Sequence, residues 1–177
     1  STATQNVIVD DVTAPSAPSS LPDVTAECSA TLTAPAANGN CAGAIIATTV
    51  DPTTYNAQGN YTVTWTFDDG NGNISSVDQN IIIDDITAPS APTIADATGE
   101  CSVTVTAPTA TDNCAGSVTG TTTDPTTYNA QGSYTITWTF DDGNGNTSTA
   151  TQNVIVDDVT APAAPTIADA TGECSVT

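Results

Sequence analysis

The sequence predicts an all-β protein built from tandem repeats, and three observations support this prediction. Residues that anchor β-domains recur 73 positions apart, as in the pairs Cys28/Cys101 and Trp65/Trp138. Within each repeat, apolar residues alternate with threonine at a period of two, as expected of strands with one buried face. No segment shows the apolar period of 3.6 residues that indicates an amphipathic helix.

The repeat also predicts the domain boundaries. The segment 1–11 is repeated without change at 148–158, where a repeat ends, and the segment 160–177 closely matches 87–104, where a repeat begins. The chain is therefore interpreted as part of a longer array. The predicted segments are the last strand of a preceding repeat (1–11), two whole repeats (12–86 and 87–159) and the first strands of a following repeat (160–177).

The clearest strand lies late in each repeat. In the second repeat the run 134–140 places Tyr, Ile, Trp and Phe on one face and threonines on the other, and the run 61–67 copies this pattern. The next six residues, Asp141-Asp-Gly-Asn-Gly-Asn146, are rich in types that tolerate positive φ, which is typical of a tight turn. A second alternating run, 149–157, follows with Val154 and Val156 facing inward. The pattern predicts a β-hairpin.

Shorter strands are predicted upstream of this hairpin. They comprise 101–106, which ends at Ala-Pro, and Thr/Val-rich pieces around 117–123 and 126–130. Six or seven short strands in about 73 residues, separated by turn residues, are typical of a compact antiparallel sandwich of immunoglobulin-like type. We expect Trp138 to anchor the core of this sandwich.

The charge composition excludes many functions. The chain has 20 acidic residues and no Lys, Arg or His, so its formal charge is −20. Catalysis that needs imidazole or amine groups is not available, and we expect no enzyme activity. Binding to nucleic acids or to anionic membranes needs basic side chains, and no apolar stretch is long enough for a membrane span. Cations are the expected partners.

Paired carboxylates recur at two places in each repeat, namely the repeat end and the hairpin tip. In immunoglobulin-like domains stacked end to end, these places meet at the seam between successive repeats. The resulting repulsion would be relieved by a hard cation, so the sequence predicts Ca²⁺ there. The candidate ligands are Asp84, Asp85, Asp112, Asp141, Asp142 and Asn144 at the interior seam, and Asp10, Asp11, Asp68, Asp69 and Asn71 at the preceding seam.

A structural interpretation of the same acidic residues stays open. Asp-Gly and Asn-Gly are ordinary turn sequences, and an acidic surface keeps secreted proteins soluble. Glu27 and Glu100, which each precede a cysteine, are interpreted as exposed loop charges.

Three strings resemble a known family. They are Thr-Asp-Asn-Cys-Ala-Gly (111–116), Tyr-Thr-Ile-Thr-Trp-Thr-Phe-Asp-Asp-Gly-Asn-Gly-Asn (134–146) and Val-Asp-Asp-Val-Thr-Ala-Pro (156–162). The chain thereby resembles the hyalin-repeat-like (HYR-like) modules of giant Bacteroidetes surface adhesins, including SprB-type gliding adhesins. The resemblance implies an immunoglobulin-like fold, export through the type IX secretion system and display on the cell surface. The first repeat departs from the pattern, since it has Asn38-Gly-Asn-Cys41 where the second has Thr111-Asp-Asn-Cys114.

The cysteines suit an exported protein. The simplest prediction is one bridge within each repeat, Cys28–Cys41 and Cys101–Cys114. However, if Cys101 begins a strand and Cys114 follows the loop at its far end, their Cα atoms could lie about 20 Å apart. A bridge between neighbouring repeats, such as Cys28–Cys114, is the alternative.

These observations predict a non-enzymatic, extracellular stalk segment of a repetitive cell-surface adhesin, with a role in surface attachment or gliding. Short linkers with two prolines, such as Thr87-Ala-Pro-Ser-Ala-Pro92, favour a semi-rigid rod. One alternative is that the repeats bind a ligand, such as surface polysaccharide. Another is a self-assembling fibre in which a strand such as 1–11 completes a neighbouring molecule's sandwich.

Overall fold

The computed structural model describes residues 1–169 and 171, and all regular elements in this part of the chain are β-strands. The all-β prediction is confirmed. Each repeat contributes seven strands, in agreement with the predicted six or seven. No described residue belongs to a helix with the length and apolar character needed to cross a membrane.

The first repeat forms three small sheets. Its strands are Val24–Ala26 (β1), Ala30–Thr31 (β2), Ala36–Gly39 (β3), Gly43–Ile46 (β4), Thr54–Tyr55 (β5), Gly59–Asp68 (β6) and Ile74–Ile83 (β7). The main sheet has the order β1-β7-β6, in which β6 and β7 are antiparallel and β1 runs parallel to β7. The pairs β2–β5 and β3–β4 form two-stranded antiparallel sheets.

The second repeat has the same arrangement. Its strands are Ala97–Gly99 (β8), Val103–Thr104 (β9), Thr109–Thr111 (β10), Ser117–Thr119 (β11), Thr127–Tyr128 (β12), Gly132–Asp141 (β13) and Thr147–Val156 (β14). The sheets are β13-β14-β8, β9-β12 and β10-β11. The strand expected at 101–106 is shorter than predicted, because β9 pairs only with the two residues of β12.

The long strands bury the residues that alternation predicted. Trp138 is 2% exposed, and Ile136 and Phe140 are fully buried, as are Val63 and Phe67 in the first repeat. Each tryptophan indole also donates a hydrogen bond to a glutamine on the adjacent strand, as Trp65 does to Gln79. The buried ring therefore keeps its one polar group satisfied, which lets a large side chain anchor a small core.

The hairpin tips have the turn conformation that their glycines allow. In the tip that joins β13 and β14, Gly143 and Gly145 have φ values of 84° and 107°, and the corresponding glycines between β6 and β7 behave alike. An L-residue rarely adopts such angles, so glycine is needed at these positions. The tip then presents its Asp and Asn side chains in a fixed arrangement.

Contacts divide the chain into two compact units. The first unit contains Ser1–Ser90 together with two loops of the second repeat, Thr111–Val118 and Asp141–Ser148. The second unit contains Ala91–Ala110, Thr119–Phe140 and the residues from Thr149 onward. The first unit therefore includes the place where the end of the first repeat meets two loops of the second.

The two outer segments differ from the predicted strands. Residues 1–11 form no strand, and Val7 and Val9 are 78% and 93% exposed, although the corresponding Val154 and Val156 are buried in β14. A physical reason is that β14 is held by pairing with β13 and β8, whereas residues 1–11 pair with no strand among the described residues. Residues 160–169 form no strand either, and the rest of the predicted 160–177 segment, apart from residue 171, lies outside the described residues.

Candidate metal and disulfide site at the repeat seam

Two equivalent seams lie within the first compact unit. We define the second seam as the place where residues 27–28 and Asp85 of the first repeat meet loop 111–118 and hairpin tip 141–148 of the second. We define the first seam as the place where Asp11 meets Cys41, Asp69 and Asn73. At both seams, the end of one repeat contacts the hairpin tip of the next, as the sequence predicts.

A disulfide crosses the second seam. Cys28 is bonded to Cys114, with 5.0 Å between their Cα atoms and 86 residues between them in sequence. The prediction of Cys28–Cys41 and Cys101–Cys114 bridges is therefore wrong, and the alternative bridge between repeats is confirmed. Cys41 and Cys101 are exposed free thiols in the described part of the chain.

A disulfide does not form within the first repeat because the two cysteines of that repeat lie at different seams. In the first repeat, Cys28 lies at the second seam, whereas Cys41 lies at the first seam. There the charge of Asp11, with smaller contributions from burial and from Asp69, raises the pKa of the Cys41 thiol. Strands β2 and β3 lie between them in sequence, and Cys41 lies in the turn that joins β3 to β4. The predicted local bridge would require this segment to fold back.

Asparagine and glutamine side chains fix the backbone of the second seam. Asn146 Nδ2 donates to the main-chain oxygen of Asp85 at 2.7 Å, and the main-chain N–H of Asp85 donates to Gln58 Oε1 at 2.8 Å. Asn113 Nδ2 donates to Glu27 Oε2 beside the disulfide. Both main-chain groups of Asp85 are thus held by side chains, which fixes the position of its carboxylate.

Three carboxylates converge at the second seam. Oxygen atoms of Asp85, Asp112 and Asp142 lie within 4.8 Å of one another, and Asp85 and Asp112 are only 3% and 6% exposed. Glu27 also brings a carboxylate oxygen within 4.8 Å of Asp85 and of the Cys114 sulfur. These acidic clusters could hold a metal ion, since carboxylate oxygens are the ligands that hard cations prefer.

Only one of the two carboxylate oxygens of Asp112 accepts hydrogen bonds from the described residues. Its Oδ1 accepts hydrogen bonds from the main-chain N–H groups of Cys114 and Ala115, at 2.8 and 2.7 Å. Its Oδ2 is buried and has no hydrogen-bond partner among the described residues. Burying an unpaired charged oxygen is costly, and no basic side chain exists in the chain to offset the charge.

The first seam repeats the arrangement of the aspartates with one aspartate fewer. Asn73 Nδ2 donates to the main-chain oxygen of Asp11 at 2.9 Å and to Asp69 Oδ2 at 2.7 Å. Asp11 corresponds to Asp85, Asp69 to Asp142 and Asn73 to Asn146. The position of Asp112, however, is taken by Gly39. The chain therefore contains two versions of the same seam that differ in the number of carboxylates.

The structure separates the predicted ligands into two groups. Asp85, Asp112 and Asp142 come together at the interior seam, where Asn144 Nδ2 also lies 3.2 Å from Asp85 Oδ2. Asp11 and Asp69 both contact Asn73 at the preceding seam. The remaining candidates are exposed and belong to neither cluster: Asp84, Asp141, Asp10, Asp68 and Asn71. Asp68 and Asp141 instead accept turn hydrogen bonds from Gly70 and Gly143.

Sequence reasoning missed several residues of the seams. Glu27 was expected to be an exposed loop charge, but it is partly buried and accepts a hydrogen bond from Asn113. The sequence pattern does not predict Asn73, Asn146 or Gln58 as seam residues either. Their recurrence at the same position of each repeat was the available signal, but in a chain rich in repeated polar residues it does not distinguish a seam residue from a turn residue.

Hydrogen bonds from asparagine lower the pKa of both hairpin-tip carboxyls. For Asp69 the largest cause is the hydrogen bond from the Asn73 side chain. For Asp142 burial is the largest single effect and raises the pKa. Hydrogen bonds from the Asn146 side chain and from main-chain N–H groups outweigh it, so the pKa is lowered. These groups therefore stabilise the fold fully above their ordinary pKa of 3.8, and the contribution is lost as pH falls through the lowered value.

The substitution Asn73→Ala tests this cause. We expect the pKa of Asp69 to rise towards its ordinary value, because its main side-chain donor is removed, while that of Asp142 stays unchanged in the same sample. Carbon-detected NMR titration of the two carboxyls measures both. Equal pKa values for Asp69 in the variant and the parent chain would contradict the assignment.

Comparison with known proteins assigns no family to this chain. No protein family matches the chain, and no curated protein sequence matches it. Among solved structures, it is similar to an endo-fucoidan hydrolase from glycoside hydrolase family 107, with 15% sequence identity and a TM-score of 0.27. That similarity covers 87% of this chain but only 31% of the hydrolase. A likeness this weak carries no argument about function.

Proposed function

We propose that the chain is a non-enzymatic stalk segment of a secreted, repetitive cell-surface adhesin, built from immunoglobulin-like modules. The observation that carries this proposal is the Cys28–Cys114 disulfide, which joins one repeat covalently to the next. A stalk needs junctions that resist bending, and a covalent bond beside the linker supplies a second connection between modules. The resemblance to adhesin repeats agrees with this role.

The linker between repeats supports the same proposal, because it is anchored. Pro89 is buried, and the N–H of Ser90 donates to the main-chain oxygen of Thr111 at 2.8 Å. The preceding linker repeats these features with Pro15 and with Ser16, whose N–H donates to Asn38 O at 2.9 Å. Each linker is thus fixed to the module that follows it, and the proline ring limits its backbone freedom.

The disulfide also bears on the location of the protein. Disulfides persist in oxidising surroundings and are rare in the cytosol. We propose an extracellular, cell-surface location, with export through the type IX secretion system as the adhesin resemblance implies. The neighbouring repeats of the same chain are the proposed structural partners.

We propose Ca²⁺ as the metal that the carboxylate cluster of the second seam would hold. It accepts six to eight oxygen ligands in irregular geometry, whereas Mg²⁺ demands a near-ideal octahedron. A cluster of carboxylates and asparagine side chains drawn from separate loops suits the first description better. Bound Ca²⁺ would offset the repulsion between carboxylates and tie the hairpin tip of one repeat to the end of the preceding one.

A length series tests the stalk. We expect the maximum dimension of chains with two, four and six repeats, measured by small-angle X-ray scattering, to rise in equal steps. A freely jointed string of modules would lengthen only with about the square root of repeat number. A maximum dimension that rises only with the square root of repeat number in the oxidised chain would contradict the proposal.

Two further measurements separate the alternatives in the same samples. Binding of the chain to an array of surface polysaccharides would favour a ligand-binding module over a stalk. Polymers that form from the two-repeat chain and grow with its concentration would favour a self-assembling fibre. The stalk predicts a monodisperse chain without polysaccharide binding.

A further inference from the structure

We propose that the two seams of this chain differ in function: the second binds Ca²⁺ through Asp85, Asp112 and Asp142, whereas the first, with Gly39 in place of Asp112, does not. This inference rests on the proposed role of the seams as stalk junctions, and it adds that one residue position decides which junctions respond to calcium. Individual repeats can then be calcium-dependent or calcium-independent within one array.

The first step is the state of Asp112. Its side chain is more than nine-tenths buried, and one oxygen is held by two main-chain N–H groups. The other oxygen has no hydrogen-bond partner in the described chain, although a carboxylate oxygen of Asp112 lies within 4.8 Å of those of Asp85 and Asp142. Native proteins rarely leave such an atom without a hydrogen-bond partner unless a bound water or ion contacts it.

The second step is the identity of the missing partner. Three carboxylates lie around that of Asp85: those of Asp112 and Asp142 in one group and that of Glu27 in another. The chain has no Lys, Arg or His. Only a cation from solution can compensate this charge. Asn144, whose amide lies 3.2 Å from Asp85 Oδ2, can present its oxygen after a half-turn of the amide, and Asp142 is only partly buried, so water can complete the coordination.

The third step is the contrast with the first seam. Asp11 and Asp69 are present there and are held by Asn73, the counterpart of Asn146. Asp11 Oδ2 is also buried without a hydrogen-bond partner among the described residues, so the seams differ in the absence of a third aspartate and not in this feature. A Cβ atom on Gly39 would lie 2.9 Å from Ile45 Cδ1, so a side chain at this position would require the end of the Ile45 side chain to shift. The residue that corresponds to Ile45 in the second repeat is Val118, which lacks that methyl group. The two repeats therefore differ at both positions, with Gly39 and Ile45 in the first and Asp112 and Val118 in the second.

Calcium titration of the whole chain by calorimetry tests the inference. We expect one tightly bound Ca²⁺ per parent chain and an affinity at least about tenfold weaker in Asp112→Asn, which keeps the size of the side chain and its Oδ1 acceptor. The reverse exchange, Gly39→Asp with Ile45→Val, places an aspartate at the first seam and removes the methyl group that would obstruct it. That variant is expected to bind a second Ca²⁺. Titration with Mg²⁺ is expected to give weaker binding in all three chains.

Several outcomes would overturn the inference. They are no calcium binding by the parent chain, unchanged affinity in Asp112→Asn, or an unchanged stoichiometry of one in the Gly39→Asp, Ile45→Val chain. Circular dichroism shows that each variant is folded, and its melting temperature with calcium and with chelator gives a second readout of binding. These results are independent of the length series: a flexible array that binds calcium would contradict the stalk but not this inference.

Discussion

Replacing both Cys28 and Cys114 with serine is expected to lower the free energy of unfolding by about 4 to 5 kcal/mol. The bond closes a loop of 86 residues, and the chain entropy that such a cross-link removes from the unfolded state grows with loop length. The loss is also expected to uncouple the repeats, because the bond joins one repeat to the other.

Guanidinium denaturation followed by tryptophan fluorescence measures both effects. Each repeat contains one buried tryptophan, Trp65 or Trp138, so replacing either one with phenylalanine lets the other report on its own repeat. With the disulfide intact we expect coincident transitions, and in the Cys28→Ser, Cys114→Ser chain we expect two separate ones. The matched control is Cys41→Ser, Cys101→Ser, which removes two exposed free thiols and should leave the transitions unchanged. Coincident transitions without the disulfide would contradict the proposed coupling.

Asp112→Asn is expected to raise the stability of the chain in the presence of a chelator, by about 1 to 3 kcal/mol. Most substitutions of buried residues destabilise a protein, so the sign is diagnostic. The reason is that Asp112 places a buried carboxylate near those of Asp85 and Asp142 without a compensating charge. An amide at this position keeps the hydrogen bonds to the main chain and removes the repulsion.

The control for this prediction is Asp84→Asn, which removes the same amount of charge from an exposed residue outside the cluster. Its effect should stay within about 0.5 kcal/mol. Added calcium should then make the parent chain more stable than Asp112→Asn, because calcium stabilises the parent chain much more than it stabilises the variant. A loss of stability in Asp112→Asn with chelator present would show that the carboxylates do not repel one another as described.

The long strands could be predicted from the sequence because their signal is local. Alternating apolar residues place Trp138 and Phe140 on one face wherever the strand lies in the fold, and the Asp-Asp-Gly-Asn-Gly-Asn turn fixes where the hairpin reverses. The predicted meeting of a repeat end with the next hairpin tip also agrees with the contacts of Asp85 and Asn146. These features follow from order along the chain.

The disulfide pairing and the members of the carboxylate cluster were harder to predict than the strands, because both depend on which short loops lie next to each other in the fold. Sequence proximity favoured Cys41 as the partner of Cys28, whereas the fold places Cys114 there. In four of the five aspartate doublets, one residue faces a seam and its neighbour faces solvent, as Asp85 and Asp84 do. Adjacent residues of an extended chain point to opposite sides, but nothing in the sequence shows which side is the seam.

The position of the disulfide has a consequence for a chain pulled from its two ends. Tension that enters before Cys28 passes through the sulfur–sulfur bond to Cys114, so the intervening segment, which contains strands β2 to β10, carries no load. Those residues hold roughly 290 Å of extended chain, and this length cannot be released while the bond is intact. An array of such repeats would reach its limit of extension early, and reduction of its disulfides would convert it into a far more extensible tether.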